Sequence, residues 1–396
     1  MIPISEALEI IARETFSLSA ETTEIESSVN RVLAEEILAD MDLPPFDRSQ
    51  MDGFAVKNAD VENAPVRLKI IGESVAGKGF DGKVKSGEAV RIMTGARVPN
   101  GADSVQKVEL TEESDGFINI LEPTKLDQNT VLKGAEIKKG EKIFGAGEII
   151  SENMIAAIAS FGYEKLKVFR RPRIAILSTG SEIVDIGATP QKDQIRNSNS
   201  IMLKVFADKF ADVKILPSVK DDIKNLTKVI EKALENFDIL ITTGGVSVGD
   251  YDFTKPVLRE LGAEIFFEKI SLKPGKPTVF ARKNKCLIFG LPGNPVSAAV
   301  TFFLFVRTAI LKMQNAKYIE LKKGFAVANE KIKAAKERDS ILPVSLSTNK
   351  NGQLTIETLR FSGSSNFIAF SRADALAFVP ENKSLEKGSA AEIYFL

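Results

Sequence analysis

The clearest hydrophobic pattern lies between residues 170 and 317, where short apolar runs alternate with amphipathic segments. The runs RIAILS, ILITT and CLIFG predict buried strands, and segments such as residues 221–236 have the apolar spacing of helices. Alternating strands and helices are typical of an α/β domain with a mostly parallel sheet. Because ligands of such sheets bind beyond the carboxyl ends of the strands, the loops that follow the strands are the first candidates for a site.

The flanking segments have other patterns. Apolar spacing at Leu8, Ile11 and Ala12 predicts one helix, and the spacing over residues 28–39 predicts a second. Short runs separated by Gly, Asn and Asp predict a β-rich N-terminal domain and, near the C-terminus, a small β-barrel or sandwich.

We therefore expect a multidomain chain of α/β and β parts with four domains. They are an elongated linker domain of helices and turns over residues 1–44 and 134–169, a β-rich domain over 45–133, an α/β domain over 170–317 and a C-terminal β-barrel-like domain over 318–396.

Composition limits the partners and the compartment. Lys plus Arg and Asp plus Glu both number 53 among 396 residues, so bulk affinity for nucleic acid or for an anionic membrane is not expected. The single cysteine, Cys286, cannot form an intrachain disulfide, and the N-terminus does not resemble a signal peptide. These features predict a cytoplasmic protein in which Cys286 is a buried structural thiol.

The chain contains no histidine. This excludes Ser-His-Asp and Cys-His triads, His-ligated zinc and histidine general bases. Any catalysis must use carboxylates, Lys, Arg, Ser, Thr, backbone amides and hard metal ions.

Three glycine- and proline-rich loops at predicted strand ends carry the candidate chemistry. In the loop TTGGVSVGDYD, Gly244 and Gly245 allow backbone N–H groups to face a ligand, Ser247 can donate a hydrogen bond, and Asp252 can bind a hard cation. An ordinary strand-to-helix turn would have the same composition. In the last of the three, GLPGNP, Pro292 and Pro295 are candidate substrate contacts.

The second loop, KPGKP, holds lysines at a fixed separation because Pro274 and Pro277 stiffen it. Lys273 and Lys276, together with Lys269, suit a phosphate or another oxyanion. The alternative is a solvated basic turn.

Further acids stand near other strand ends. Glu182 follows the first buried strand, and Asp221 and Asp222 stand at a predicted helix start, where an acid can also act as a cap. From the residues alone, the chain is an α/β protein with an anion and hard-metal site.

The segments SQMDGFAV, RIMTGARVPNGADSV, GGVSVGDYDFTK, KPGKP and GLPGNPVSAA occur in this order along the chain. In this it resembles the molybdopterin molybdenumtransferases, the MoeA and gephyrin E-domain family. The resemblance implies insertion of molybdenum from molybdate into adenylylated molybdopterin, release of AMP, and assistance by Mg²⁺. It also implies a homodimer with its cleft between the α/β domain of one subunit and the β-rich domain of the other. Adenylyltransferase and molybdoenzyme partners are further possibilities.

The resemblance also assigns roles by position. The acids of the cleft would be Asp52, Glu182, Asp221 and Asp252, with Asp221 and Asp252 as the Mg²⁺ ligands. Lys269, Lys273 and Lys276 would face pterin phosphate or molybdate. Contacts to substrate would come from Thr94, Glu136, Ser297, Arg338 and Ser365.

The chain departs from the family pattern at one motif. Many members have N-x-R-x-x-G-E-D where this chain has Val131 in place of the arginine and Glu136 in place of the aspartate. Lys133 is a candidate substitute for the arginine. Two other functions are open: a molybdopterin adenylyltransferase, whose domain resembles residues 170–315 alone, and a non-enzymatic scaffold like gephyrin.

Overall fold

The computed structural model describes residues 1–219, 223–245, 254–359 and 366–396. The chain divides into two compact units. Unit 1 contains Met1–Glu35, Ala146–Glu152 and Lys165–Leu396, and unit 2 contains Glu36–Gly145 and Asn153–Glu164.

A six-stranded sheet forms the centre of the α/β part of unit 1. Its spatial order is Asp212–Ile215, Arg173–Ser178, Ile239–Thr243, Cys286–Leu291, Val279–Lys283 and Glu264–Phe267. The first four strands are parallel and the last two pairings are antiparallel. The predicted mostly parallel sheet is confirmed, but the strand Val279–Lys283, which forms a hairpin with its neighbour, escaped the sequence analysis.

Both faces of this sheet are covered, which explains the unbroken apolar runs. Ile174 and Ile176 face one core cluster, while Ala175 and Leu177 on the same strand face the other. Cys286 is fully buried, and burial raises the pKa of its thiol to about 12. It is therefore a structural residue, as predicted.

Helices cover the sheet at Ser198–Asp208, Ile223–Asn236 and Thr254–Glu260, and a longer helix spans Pro295–Met313. The long helix contains a π-helical turn at Phe302–Val306 between α-helical segments Pro295–Thr301 and Arg307–Met313. By length and composition alone it could cross a membrane, but 83% of its most apolar window is buried. Its apolarity thus follows from its place in the core.

The C-terminal part of unit 1 is a closed barrel, which confirms the predicted barrel-like domain. The long strand Asp339–Thr348 pairs with both Leu354–Thr358 and Ala375–Val379. Lys323–Ala328 and Ala390–Phe395 complete the closure. The short strand Leu272–Lys273 of the KPGKP loop pairs with Asp339 and Ser340 at the edge of this barrel.

Unit 2 contains an open six-stranded sheet, in agreement with the β-rich part that the sequence predicts. Its spatial order is Ser104–Lys107, Gly53–Val56, Glu88–Ile92, Val66–Ser74, Phe117–Ile120 and Thr111–Ser114. Apolar side chains fill both of its faces, with Phe54 and Val56 on one and Ala55 and Val105 on the other.

The remaining chain contains short elements. Helices and 3-10 turns lie at Ile4–Glu14, Ile25–Ser27, Asn58–Val61, Val108–Leu110, Glu152–Ser160 and Phe367–Phe370. Two-stranded sheets pair Ala20–Glu24 with Lys165–Phe169, Arg48–Ser49 with Thr130–Val131, Ile37–Leu38 with Lys142–Phe144, Ile183–Val184 with Ile195–Arg196, and Ile332–Lys333 with Ser384–Leu385.

The predicted helix over residues 28–39 is wrong. Asn30 has φ of 65°, which a right-handed helix does not allow, and Val32 and Leu33 form bridges to Ile149 and Val168. Their apolar spacing arises because these extended residues are buried against distant strands. The structure gives two compact units, and the four predicted domain boundaries remain a proposal.

Candidate functional site

A pocket of about 980 Å³ lies beyond the carboxyl ends of the parallel strands, and we call it the strand-end pocket. It is lined by five predicted site positions that follow the strands and one from the KPGKP loop, namely Glu182, Gly244, Gly245, Pro292, Pro295 and Pro277. The pocket therefore lies at the edge of the sheet where such sheets bind ligands.

The turn after Ile239–Thr243 needs glycine. Gly245 has φ of 63°, and a side chain there would lie 2.7 Å from Thr179 Oγ1 and 2.9 Å from Thr254 Oγ1. Neither hydroxyl has a hydrogen-bond partner in the described part of the chain. Gly245 thus keeps open a gap between two buried hydroxyl groups.

Glu182 lies at the rim of the strand-end pocket, with its side chain over Gly180. Gly180 has φ of 137°, and a Cβ there would be 2.5 Å from Glu182 Oε2. The Glu182 carbonyl accepts a hydrogen bond from Ile195 N at 2.9 Å. This fixes the loop that carries the acid.

Two asparagines at the start of helix Ser198–Asp208 also line the pocket, and neither was predicted as a site residue from the sequence. Asn197 Oδ1 accepts from Ser200 N at 3.2 Å and caps the helix, while its Nδ2 donates to Ser178 Oγ at 2.8 Å. Asn199 Nδ2 donates to Thr243 Oγ1 at 3.0 Å and to the Gly293 carbonyl at 2.7 Å. The polar run NSNS at the start of this helix was the available signal.

A second pocket of about 520 Å³ adjoins the first, and we call it the lysine pocket. Its lining contains Lys273, Lys276 and Arg338, and within the described ranges none of these cations forms an ion pair. The predicted residues Pro274, Pro277, Pro292 and Ser297 line it as well. Pro277, Pro292 and Asn294 line both pockets, so the two are contiguous.

The KPGKP loop is held in place from three sides. Ile270 N donates to the Lys276 carbonyl at 3.0 Å, and Thr278 Oγ1 donates to the Gly275 carbonyl at 2.7 Å. Pairing of Leu272–Lys273 with the barrel brings Arg338, which precedes Asp339, to the same pocket. Fixed cations of this kind compensate an oxyanion without rearrangement during the reaction.

Asp52 and Thr94 contact each other in unit 2. Asp52 Oδ1 accepts from Thr94 N at 2.6 Å and from Thr94 Oγ1 at 2.8 Å. These hydrogen bonds, the backbone one first, hold the pKa of the exposed Asp52 carboxyl below its usual value. Asp52 is therefore a fixed acceptor that stays ionised at neutral pH.

The motif at residues 129–136 in unit 2, where the chain differs from the family pattern, has nearby ion pairs. Arg48 lies opposite Val131 in the strand pairing, and its Nη2 is 3.4 Å from Glu136 Oε1. Lys133 Nζ is 3.4 Å from Asp42 Oδ2. The cation beside Glu136 is thus Arg48 and not Lys133.

Some predicted residues are placed elsewhere or lie outside the description. Lys269 is not among the residues that line either pocket, and its carbonyl accepts from Ile2 N at 3.2 Å. Predicted positions Asp221, Ser247, Asp252 and Ser365 lie outside the described residues. Within the described ranges, no group of three or more Cys, Asp or Glu residues could hold a metal ion.

Comparison with protein families gives matches along most of the chain. Residues 2–162 match the MoeA N-terminal region (domain I and II), residues 175–312 match a probable molybdopterin binding domain, and residues 326–396 match the MoeA C-terminal region (domain IV).

Individual relatives agree with these matches. A molybdopterin molybdenumtransferase of Staphylococcus aureus strain Mu50 is 39% identical over 320 residues, which is 80% of this chain and 76% of the relative. One from Haemophilus influenzae is 35% identical, covering 93% and 91% of the two chains. Two crystal structures of a molybdopterin biosynthesis MoeA protein from Pyrococcus horikoshii cover the whole of this chain, with TM-scores of 0.79 and 0.85 at 32% and 28% identity. The matched regions include 99% and 100% of the two crystallised chains.

Proposed function

Because the chain belongs to the MoeA family of molybdopterin molybdenumtransferases, transferases of molybdenum cofactor biosynthesis, we propose that it inserts molybdenum from molybdate into adenylylated molybdopterin. AMP is the second product. The observation that carries the proposal is the contiguity of the lysine pocket with the strand-end pocket.

The lysine pocket receives molybdate in this proposal. Lys273, Lys276 and Arg338 offer positive charge, and the buried Ser297 contributes a neutral hydroxyl to the same lining. Three cations without a described carboxylate in the lining favour a small dianion over a neutral ligand.

The strand-end pocket receives the organic substrate. Its volume of about 980 Å³ is large enough for a nucleotide-sized ligand, and its Gly244-Gly245 turn allows close approach of a phosphate. Contiguity then brings the dithiolene end of the pterin next to the oxyanion, so that catalysis consists mainly of positioning and charge compensation.

Magnesium assists in this proposal through Asp221 and Asp252, which both lie outside the described residues. Carboxylates are the ligands that Mg²⁺ prefers, and Glu182 is the acid among the described residues that line the strand-end pocket. Because the described residues contain no ready metal cluster, no catalytic step is assigned to the ion.

The proposal also includes a homodimer in the cytoplasm. Asp52 and Thr94 of one subunit would complete the site of the other, and Glu136 would contact substrate with Arg48 beside it. An adenylyltransferase, which would supply the substrate, and molybdoenzymes, which would receive the product, are candidate partners.

The direct test is release of AMP from adenylylated molybdopterin, with and without molybdate, in the presence of Mg²⁺. We expect molybdate-dependent release by the wild-type protein. Release that does not respond to molybdate would contradict the proposal, and formation of adenylylated molybdopterin from ATP would favour the adenylyltransferase.

Single variants test the lysine pocket. Lys276→Ala should raise the molybdate concentration needed for half-maximal release by about tenfold or more, because a fixed cation is lost. Lys285→Ala, in the turn beside Asn284 and outside both pockets, is the matched control and should behave as wild type. Equal effects of the two substitutions would remove the lysine pocket from the proposal.

A further inference from the structure

Arg338, one of the three cations of the lysine pocket, lies in a tight turn beside the barrel. A bridge between Ala335 and Arg338 closes the turn, and the two residues at its tip, Lys336 and Glu337, are exposed. Arg338 is only partly exposed and lines the lysine pocket, whereas Lys336 lines neither of the two pockets described above. The conformation of this turn therefore decides which of its two cations reaches the pocket.

Glu337 holds a backbone conformation that residues other than glycine and asparagine rarely adopt. Its φ is 57°, in the left-handed region. Such a conformation persists only where neighbouring groups fix it. Two side chains do so here, since Asn382 Oδ1 accepts from Glu337 N at 3.3 Å and Ser271 Oγ donates to the Glu337 carbonyl at 3.0 Å. The residue before Arg338 is therefore held through both its N–H and its carbonyl.

Ser271 contacts both chain neighbours of Arg338. Its hydroxyl donates to Glu337, and its carbonyl accepts from Asp339 N at 3.2 Å. Its own N–H donates to the Ile2 carbonyl at 2.8 Å, which anchors the serine itself. The backbone contacts need no particular side chain, but the contact with the Glu337 carbonyl needs a side-chain donor. The hydroxyl is thus the part of Ser271 that depends on residue identity.

We propose that Ser271 is a positioning residue, whose hydroxyl holds Arg338 at a fixed separation from Lys273 for the binding of a small oxyanion. This inference rests on the proposed function, in which the oxyanion is molybdate. Lys273 lies two residues after Ser271, so one short segment carries one cation of the lysine pocket and restrains another. Cations that are held in this way need no rearrangement when the anion arrives.

Isothermal titration calorimetry of the full-length protein with sodium molybdate tests the proposal. Ser271→Ala should weaken molybdate binding by about threefold or more, because a hydrogen bond that restrains the turn is lost. Ser271→Thr keeps a hydroxyl and should bind molybdate as wild type does. Ser389→Ala is the matched control, because its hydroxyl also donates to a backbone carbonyl, that of Glu386 at 2.6 Å, and it lines neither pocket. Its molybdate affinity should equal that of wild type.

A double-mutant cycle separates positioning from a general loss of structure. Arg338→Ala should weaken molybdate binding by about tenfold, whereas Lys336→Ala in the same turn should leave it unchanged. In the Arg338→Ala protein, Ser271→Ala should have no further effect on molybdate affinity, since the side chain through which the serine acts is absent. A purely structural role of the hydroxyl would make the two effects additive.

Three results would overturn the inference while leaving the proposed function intact: unchanged molybdate affinity in Ser271→Ala, unchanged affinity in Arg338→Ala, or additive effects in the double variant. If circular dichroism shows that Ser271→Ala does not fold, Ser271→Cys, whose thiol is a weak donor, takes its place in the cycle with the same expected results. Failure of the proposed function appears in wild type, which would then release no AMP in response to molybdate. Wild type that binds no molybdate would overturn both.

Discussion

At the residue scale, the contact between Asp52 and Thr94 shows how a short polar pair fixes a carboxylate. The two residues are 42 positions apart, yet one carboxylate oxygen accepts from both the amide and the hydroxyl of Thr94. The resemblance to the family suggested both residues as site positions. Their direct contact became visible only in the folded unit.

Thr94→Val tests this contact. The substitution removes the hydroxyl donor and leaves the amide, so the pKa of Asp52 should rise part of the way towards its ordinary value. A carboxyl with a depressed pKa contributes stability above its unfolded-state pKa and loses it as the pH falls through the folded value, so the variant should lose that contribution at a higher pH. NMR titration of the Asp52 carboxyl measures the change.

Thr130→Val is the control for that titration, since the Thr130 hydroxyl donates to a backbone carbonyl of Asp127 and to no carboxylate. The same Asp52 pKa in all three proteins would show that the hydroxyl does not stabilise the ionised acid.

Gly245→Ala is a second test at this scale. The new methyl group would meet the Thr179 and Thr254 hydroxyls at below 3 Å, and φ of 63° is unfavourable for alanine. We expect a loss of about 2 kcal/mol in the free energy of unfolding, measured by denaturant titration. Gly352→Ala has a similar φ of 76° and no atom within 4 Å, so it should lose only about 1 kcal/mol. Equal losses would mean that the gap beside Gly245 has no steric role.

At the scale of elements, one largely buried ion pair joins the start of strand Arg173–Ser178 to the start of its neighbour Ile239–Thr243. Asp238, 5% exposed at the start of strand Ile239–Thr243, accepts two hydrogen bonds of 2.7 Å from the Arg170 guanidinium and one of 2.7 Å from Arg173 N. Burial by itself would raise the pKa of Asp238, but the Arg170 hydrogen bonds and the other contacts lower it overall. The pair therefore keeps the strand starts in register.

Arg170→Ala should destabilise this sheet by about 3 kcal/mol, because it leaves a buried carboxylate without its main partner. Arg173→Ala is the matched control: its guanidinium is 3.7 Å from Asp238 and largely exposed, so its loss should cost under 1 kcal/mol. Since the pKa of Asp238 is depressed, the difference between Arg170→Ala and wild type should shrink as the pH falls below about 4. Thermal unfolding at several pH values would measure both effects, and a difference that is constant from neutral to acid pH would contradict this account.

At the scale of the whole molecule, the candidate residues fall into both compact units. The two pockets belong to unit 1, whereas Asp52, Thr94 and Glu136 belong to unit 2. The proposed homodimer explains this division if each site takes residues from two subunits.

Mixing impaired variants tests that arrangement. At a molybdate concentration well below the half-maximal value of Lys276→Ala, Asp52→Ala and Lys276→Ala should each release little AMP. After subunit exchange at equal concentrations, half of the dimers are mixed, and a shared site would leave one intact site in each, so about a quarter of wild-type AMP release should return. Mixing Lys273→Ala with Lys276→Ala is the control and should restore nothing. No recovery in the first mixture would place the whole site within one subunit.

The sequence by itself determined several buried strands and the family. The strands Arg173–Ser178 and Ile239–Thr243 coincide with the predicted runs RIAILS and ILITT, because local apolar pattern and flanking turn residues are enough to define a buried strand. The absence of histidine and the proline-braced lysines also depend only on residue identity. The family followed from five motifs in one order.

Only the tertiary structure decided which residues meet. Residues 28–39 have helical spacing but form bridges to distant strands, and the short apolar run at residues 279–281 becomes part of a strand through its antiparallel pairing with Cys286–Leu291. Arg338 reaches the lysine pocket through a barrel pairing more than 60 residues along the chain, and the Asn199 amide donates to both Thr243 and Gly293. These contacts depend on long-range pairing, which local pattern does not encode.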